Sequence, residues 1–170
     1  YIEKDSAIND EIDKLRLAAV SDLLSGRQDV IIVSSVSCIY GMGAPIAMQE
    51  NVINIKSGQK IDRNDFLRRL VSALYVRNDI DLQRGFFSVK GDTVNIAMAY
   101  SDNVLRVTWW DDEIDSIEEV DPITMHTIQK FEEYQIYPAN LFVTSKEQTE
   151  EAIRKIQDDL VKQVAYFEEE

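Results

Sequence analysis

The first apolar pattern along the chain has the period of a helix. Apolar residues recur at spacings of three and four, which places one stripe of side chains along a helix: Ile8, Ile12, Leu15, Ala19 and Leu23. The pattern predicts a helix from Asp10 to Leu24, ended by Ser25-Gly26. The continuous apolar run from Val30 to Val33 is typical of a strand covered on both faces, as in a parallel α/β sheet.

A short strand and a second helix are predicted next. Val52 to Ile55 is the strand candidate, and Asn64 to Leu74 is the helix. Arg68 and Arg69 lie off its apolar stripe, where a solvated and a functional role are equally open interpretations. The side chains expected to face the core are Leu67, Leu70, Val71 and Leu74.

From Phe86 onward the apolar residues alternate with the period of a strand. Residues 86–90 and 93–97, joined by Gly91-Asp92, predict a β-hairpin. Val104 to Trp110 is a third strand and Ile114 to Val120 a fourth. With the preceding helix, these strands predict an antiparallel sheet and hence an α+β fold.

The end of the chain is predicted to be one long helix. Thr144 and Glu147 have capping-box spacing, and an apolar stripe continues to about Phe167. An α/β beginning, an α+β middle and a helical tail favour a domain inserted from about Ile46 to Tyr137 into a larger α/β protein. The first residue is Tyr1 rather than a methionine, so we expect a longer parent protein.

Charge changes this picture locally. The 170 residues contain 31 acids and 18 bases, a net charge of −13. This argues against a free-standing nucleic-acid binder, because phosphate contacts need surplus Lys and Arg. Residues 56–90 are the exception, since 8 bases and 4 acids give them a net charge of +4. Such a basic patch suits an acidic protein partner as well as it suits phosphate, and a solvated arginine face is the alternative.

Candidate catalytic and metal-binding chemistry is sparse. A single cysteine, Cys38, excludes an internal disulfide, and a single histidine, His126, excludes a His/Cys metal cluster. Cys38 is expected to be a small core residue and His126 a surface residue. Gly41-Met42-Gly43 lacks the ending of a Walker A loop, so a plain turn is favoured. The carboxylates within residues 111–115 are expected to be solvated rather than to bind a hard cation.

Several motifs keep a recognisable order and spacing over essentially the whole chain. Two longer segments, residues 1–16 and 29–41, come first. The shorter motifs that follow are Arg63-Asn64, Leu67-Arg68-Arg69-Leu70-Val71, Arg77-Asn78-Asp79-Ile80-Asp81, Arg84-Gly85, Lys90-Gly91-Asp92, Asp112-Glu113-Ile114 and the run from Tyr137 to Thr144. In this order the motifs resemble the UvrB family, the damage-recognition subunits of bacterial excision repair.

The resemblance implies a three-part organisation. Residues 1–45 correspond to part of the first helicase domain with the end of a β-hairpin segment, residues 46–139 to a UvrA-interacting domain, and residues 140–170 to the start of the hairpin-bearing helicase subdomain. The implied fold class is therefore α+β, an inserted antiparallel-sheet-plus-helix domain flanked by pieces of an α/β P-loop helicase core.

The same resemblance implies a function in nucleotide excision repair of DNA. The expected partner is UvrA, with UvrC and damaged DNA engaged through the full-length protein, in the cytoplasm and with no membrane partner. The Walker A loop lies outside the chain. No enzyme activity and no cofactor are thus expected for these residues, whereas ATP and Mg²⁺ are implied for the longer parent.

Five positions correspond to the UvrA-facing surface of the family. Arg77, Lys90 and Arg106 match basic positions of that surface, Lys90 being a lysine where relatives often carry arginine. Ser88 stands where relatives often have a base and Thr108 where they often have an acid, so the charge pattern is reshaped. We expect Arg77, Lys90 and Arg106 to share one sheet face if the hairpin forms.

Two alternatives remain open from the sequence. One is a DNA- or nucleotide-binding helicase-core fragment that uses residues 34–43. The other is the related UvrA-binding module of the transcription-repair coupling factor, against which the helicase-like flanks argue. Trp109 and Trp110 alternate across a strand, so one is predicted to lie in the core and the other is a candidate interface aromatic.

Overall fold

The computed structural model describes residues 6–38, 45–142 and 146–169. Its helices are α1 (Ser6–Leu24), α2 (Pro45–Glu50), α3 (Arg63–Ser72) and α4 (Lys146–Glu169), with a 3₁₀ turn at Val36–Cys38. The predicted first, second and last helices are thus confirmed, although Thr144 and Gly41–Gly43 lie outside the described residues. Among the described helices, none combines the length and apolarity that crossing a membrane requires.

Eight strands form two sheets within the described residues. They are β1 (Ile53–Lys56), β2 (Val76–Arg77), β3 (Phe86–Lys90), β4 (Thr93–Ala97), β5 (Val104–Trp110), β6 (Glu113–Val120), β7 (Thr127–Phe131) and β8 (Glu133–Ile136). The larger sheet has the order β2-β3-β4-β5-β6-β7, and β1 pairs with β8 in the smaller one. All pairings are antiparallel except the short parallel pairing of β2 with β3.

Turn chemistry fixes the register of the central hairpins. Lys90 pairs with Thr93, so Gly91-Asp92 is a two-residue turn, and Gly91 has the positive φ of 58° that such turns favour. Between β5 and β6 the positive φ belongs to Asp111, at 57°, a conformation that aspartate adopts more readily than most residues. The predicted hairpin and the α+β class are confirmed.

One face of the six-stranded sheet packs against α3 to form the core. Phe66 and Leu70 of α3 and its C-cap residue Ala73 are buried together with sheet residues such as Phe87 and Leu105. The α3 N-terminus is capped by Asp62, whose carboxylate accepts from the backbone N–H groups of residues 64 and 65. This packing leaves the opposite sheet face without a covering helix among the described elements.

The buried faces of two helices differ from the prediction. The core contacts come from Phe66 and Leu70 of α3 and from its C-cap Ala73, while Val71 and Leu74 are exposed and Leu67 is half-buried. The helix ends after Ser72, and Leu74 takes a positive φ of 67°, which removes it from the expected stripe. The aromatic side chain of Phe66, near the start of the helix, occupies the core in place of Val71 and Leu74.

On α1 the predicted stripe is likewise mostly solvent-facing. Ile12, Leu15 and Leu23 are exposed, whereas Leu17 is buried against Met48 and Ala99. The Lys14 Nζ lies 2.9 Å from the Asp102 carboxylate. The helix face that carries Leu17 therefore packs toward the sheet domain. The spacing of apolar residues in the sequence predicts a different helix face.

The buried strand predicted at Val30–Val33 is wrong. These residues have no strand geometry, and Ile31 and Val33 are almost fully exposed. A parallel strand requires neighbours on which to form hydrogen bonds, and no described strand lies beside this segment. Three strands that the analysis of the sequence did not predict, β2, β7 and β8, complete the two sheets.

Candidate docking face

The uncovered face of the six-stranded sheet gathers polar side chains into two rows. One row crosses five strands in register and consists of Ser88, Asn95, Arg106, Glu118 and Lys130. The second row consists of Lys90, Thr93, Thr108 and Ser116. Because side chains opposite each other across neighbouring strands point to the same face, these nine residues define one surface, here named the open face.

Arg106 is the central cation of the open face. Its Nε donates to the Asn95 side-chain oxygen at 3.2 Å, and Nη1 donates to the Met125 carbonyl at 3.5 Å. Within the described part of the chain, no carboxylate lies within the 4.0 Å of an ion pair from its guanidinium. Neutral acceptors therefore position this half-buried side chain, and its charge remains available to an anionic group from outside.

Glu118 is paired with Lys130, which lies on the neighbouring strand β7. Lys130 Nζ lies 2.7 Å from one carboxylate oxygen, and the Thr127 hydroxyl donates to the other at 2.8 Å. The hydrogen bond from Lys130 is the main reason that the pKa of Glu118 is lowered, and the same contact raises the pKa of Lys130. The carboxylate thus stays ionised and paired, so it subtracts little from the attraction of the open face for anions.

Lys90 and the hydroxyl groups lie at the other end of the open face. Lys90 is exposed, and it too lacks a described carboxylate within ion-pair distance. A shallow groove of about 590 Å³ runs between the two rows and is lined by Lys90, Thr93, Asn95, Arg106, Thr108, Ser116, Glu118 and Met125. Two cations and several neutral donors in one groove can bind carboxylate or phosphate oxygens.

Four of the five candidate residues share this face and one does not. Ser88, Lys90, Arg106 and Thr108 lie in the two rows, although Ser88 is buried. Arg77 lies on the edge strand β2 in register with Phe87, a core residue. The expectation that Arg77 shares the face of Lys90 and Arg106 is therefore wrong, because the parallel pairing of β2 aligns it with the core side.

Arg77 is instead held by an internal ion pair. Its Nη2 lies 2.9 Å from an Asp79 carboxylate oxygen, and the other oxygen accepts the Val89 backbone N–H at 2.8 Å. This backbone hydrogen bond is the leading cause of the lowered pKa of Asp79. A partner carboxylate must compete with Asp79 for Arg77. Arg106 has no ion pair within 4.0 Å among the described side chains, although its cross-strand neighbour Glu118 interacts with it electrostatically.

The polar neighbours of Arg106 on the open face are not predicted from the sequence. Asn95, Glu118 and Lys130 were not singled out, because β7 was not recognised and the register between strands was unknown. Alternation along the predicted strands could have placed Asn95 and Glu118 on the face of Arg106. No comparable pattern in the sequence predicted the contact between Glu118 and Lys130.

The structure also tests the predictions for the two tryptophans, the cysteine and the histidine. Trp109 is buried and Trp110 is 81% exposed, so the predicted division between core and surface is confirmed. Cys38 is half-buried in the 3₁₀ turn rather than part of a core, and a hydrogen bond with Ser35 is the main cause of its lowered pKa. His126 is exposed as expected. In the described ranges, no three His, Cys, Asp or Glu side chains cluster closely enough to hold a metal ion.

Comparison with known families decides what this sheet domain is. Residues 53–142 match the model of the UvrB interaction domain. The chain belongs to the UvrB interaction domain family. The matched range begins at β1 and contains both sheets, so the open face lies entirely within the part that the family describes, and the resemblance seen in the sequence is confirmed.

Relatives in the UvrB family match almost the whole chain. The UvrABC system protein B of Bacteroides thetaiotaomicron is 71% identical over 168 residues, which are 99% of this chain and 25% of the relative. The protein of the same name from Bacteroides fragilis is 70% identical with the same coverage. That of Cytophaga hutchinsonii is 49% identical over 100% of this chain and 25% of its own length. The chain spans about a quarter of the length of these relatives.

Proposed function

We propose that this chain is a UvrA-docking module of a UvrABC system protein B in nucleotide excision repair, and that the open face is the contact surface. The supporting observation is that Arg106 and Lys90 lie on one uncovered sheet face with no described carboxylate paired to either. Elsewhere in the domain, arginines such as Arg63 and Arg68 already pair with aspartates. A cation without an internal carboxylate partner is better placed to meet an acidic surface than a paired one.

The chemistry of the two cations sets how the partner is held. The planar guanidinium of Arg106 can form two parallel hydrogen bonds to one carboxylate, whereas Lys90 acts as a point charge. Ser88 is buried and Thr108 is uncharged, so these two positions shape the surface without adding charge. Arg77 contributes at the edge, once a partner group displaces Asp79.

The domain organisation is part of the same proposal. Residues 46–139 form the docking module, and residues 1–45 and 140–170 are pieces of the helicase core of a longer cytoplasmic protein. That protein binds ATP, Mg²⁺, UvrC and damaged DNA, while the present residues carry no catalysis. Exposed apolar side chains on both flanks support this division, because parts of a longer protein would cover them: Ile31, Val33, Ile153, Ile156, Leu160 and Phe167.

Alanine substitution of the two cations tests the proposal. Arg106→Ala should weaken binding of the chain to purified UvrA about tenfold and Lys90→Ala about threefold, since truncating a partly buried charge costs more than truncating a rim charge. Each variant should also reduce the salt dependence of the association rate. Surface-binding kinetics at several salt concentrations measure both quantities.

Matched variants separate docking from folding. Arg68→Ala removes the same charge from α3, on the core side of the sheet, and should leave UvrA binding unchanged. Arg106→Lys keeps the charge and should recover part of the affinity. Unchanged binding in Arg106→Ala and Lys90→Ala would exclude the open face as the contact surface. Tight binding of single-stranded DNA by the chain at physiological salt would favour the helicase-core alternative.

A further inference from the structure

Two isoleucines stand out as the most exposed large apolar residues of the sheet domain. Ile80 is 99% and Ile123 is 89% exposed. They lie in the loops that precede β3 and β7, residues 78–85 and 121–126. A single exposed apolar side chain is ordinary on a protein surface, so exposure alone assigns nothing to either residue. Their local geometry and shared location make the case.

Both isoleucines occupy the same position of a tightly bonded turn. The Asn78 side-chain oxygen accepts the N–H groups of Ile80 and Asp81 at 3.0 and 3.1 Å. In the second loop, one Asp121 carboxylate oxygen accepts the N–H of Ile123 at 3.0 Å and both the N–H and the hydroxyl of Thr124. Each isoleucine is thus two residues after an Asx side chain that fixes its backbone.

The two loops meet at one end of the open face. Leu82 from the first loop and Met125 from the second pack against a small cluster of Ala97, Val104 and Val120. These three residues form the next register row beyond Arg106. Since Arg106 also donates to the Met125 carbonyl, the loop that presents Ile123 is tied directly to the central cation.

Each isoleucine is close in sequence to a cation or its partner, Ile80 to Arg77 at the sheet edge and Ile123 to the carbonyl partner of Arg106 on the open face. Ile80 follows Arg77 by three residues, and the Asp79 between them is bonded to both Arg77 and β3. Ile123 is two residues from Met125, the backbone partner of Arg106. Apolar side chains on a backbone that is already ordered lose little conformational entropy on binding, so they can contribute much of the energy of an interface.

We propose that Ile80 and Ile123 are the apolar anchors of the docking surface, and that they insert into shallow apolar pockets lying beside carboxylates on the partner protein. This inference rests on the proposed function and adds to it the kind of partner surface that the module fits. The cations of the open face attract and orient that surface, and the two isoleucines hold it once the encounter has formed.

Serine substitutions test the anchors without disturbing the fold. Ile80→Ser and Ile123→Ser should each weaken binding to purified UvrA about tenfold, as expected for an apolar side chain that becomes buried. The loss should appear in the dissociation rate, while the association rate and its salt dependence stay as in the parent chain. Ile31→Ser is the matched control, since Ile31 is 91% exposed on the segment after α1, and it should bind as the parent does.

The kinetic pattern distinguishes failure of this inference from failure of the proposed function. Parent-like dissociation rates in both serine variants, alongside weakened binding in Arg106→Ala, would remove the anchors and leave the docking face intact. A parent chain that does not bind UvrA at all would overturn both proposals. Equal weakening by Ile31→Ser would show a general loss of apolar surface and would also overturn the anchors.

Discussion

Replacing Trp109 with alanine is expected to lower the free energy of unfolding by about 3–5 kcal/mol. Trp109 is 3% exposed, and its ring lies 5.0 Å from that of Phe66, centroid to centroid. Its indole N–H donates to the Ile61 carbonyl at 3.1 Å. The substitution therefore opens a large cavity between α3 and the sheet and also removes the partner of a carbonyl group.

The adjacent residue provides the matched control for this experiment. Trp110→Ala removes the same side chain one position along β5, where it is solvated, and should change stability by no more than about 0.5 kcal/mol. Urea unfolding followed by far-UV circular dichroism measures both variants without relying on tryptophan fluorescence. Similar losses in the two variants would contradict the assignment of Trp109 to the core.

Alkaline solution is expected to destabilise the domain steeply above about pH 10. Burial raises the pKa of Tyr75 far above its ordinary value and raises that of Tyr134 to about 12. Both phenols stay protonated in the folded chain at a pH where the unfolded chain ionises them. Each therefore supports folding fully below about pH 10, and this contribution falls by about 1.4 kcal/mol per pH unit until its folded pKa is reached.

Tyr75→Phe isolates the contribution of one of these buried phenols. The Tyr75 hydroxyl donates to the Tyr137 carbonyl at 2.9 Å, so the variant should lose about 1 kcal/mol at neutral pH. Above pH 10 its stability should fall with a shallower slope than that of the parent chain. Urea unfolding at pH 7, 9, 10 and 11 provides the comparison, and parallel slopes would show that the Tyr75 phenol ionises freely in the folded state.

The strands that sequence pattern predicts well are those with alternating burial on one face. β3, β4 and β5 have the predicted bounds because polar and apolar residues alternate and Gly91 closes the first hairpin. The same alternation placed Lys90 and Arg106, which the resemblance had singled out, on a common face. Local periodicity thus predicts which face these two residues share, whereas their selection came from the resemblance.

The predictions from the sequence fail where contacts between distant parts of the chain determine the local structure. Val30–Val33 has the composition of a buried strand but finds no strand partner among the described residues. Arg77 was misplaced because a two-residue parallel strand has no sequence signature, and its register was needed to assign a face. The fixed positions of Ile80 and Ile123 depend on side-chain-to-backbone hydrogen bonds, for which the Asn and Asp two residues earlier were the available clue.

The pairing of β1 with β8 gives the domain a particular mechanical character. Ile53 and Ile136 face each other where the chain enters and leaves the two sheets, and antiparallel Cα partners are about 4.5–5.5 Å apart. Tension between the flanking segments would load this ladder from one end, so its residue pairs would open one after another, each at small force. The six-stranded sheet lies outside that line of tension. The β1–β8 pairing of a bound module can therefore open under tension while the two residue rows of the open face keep their register.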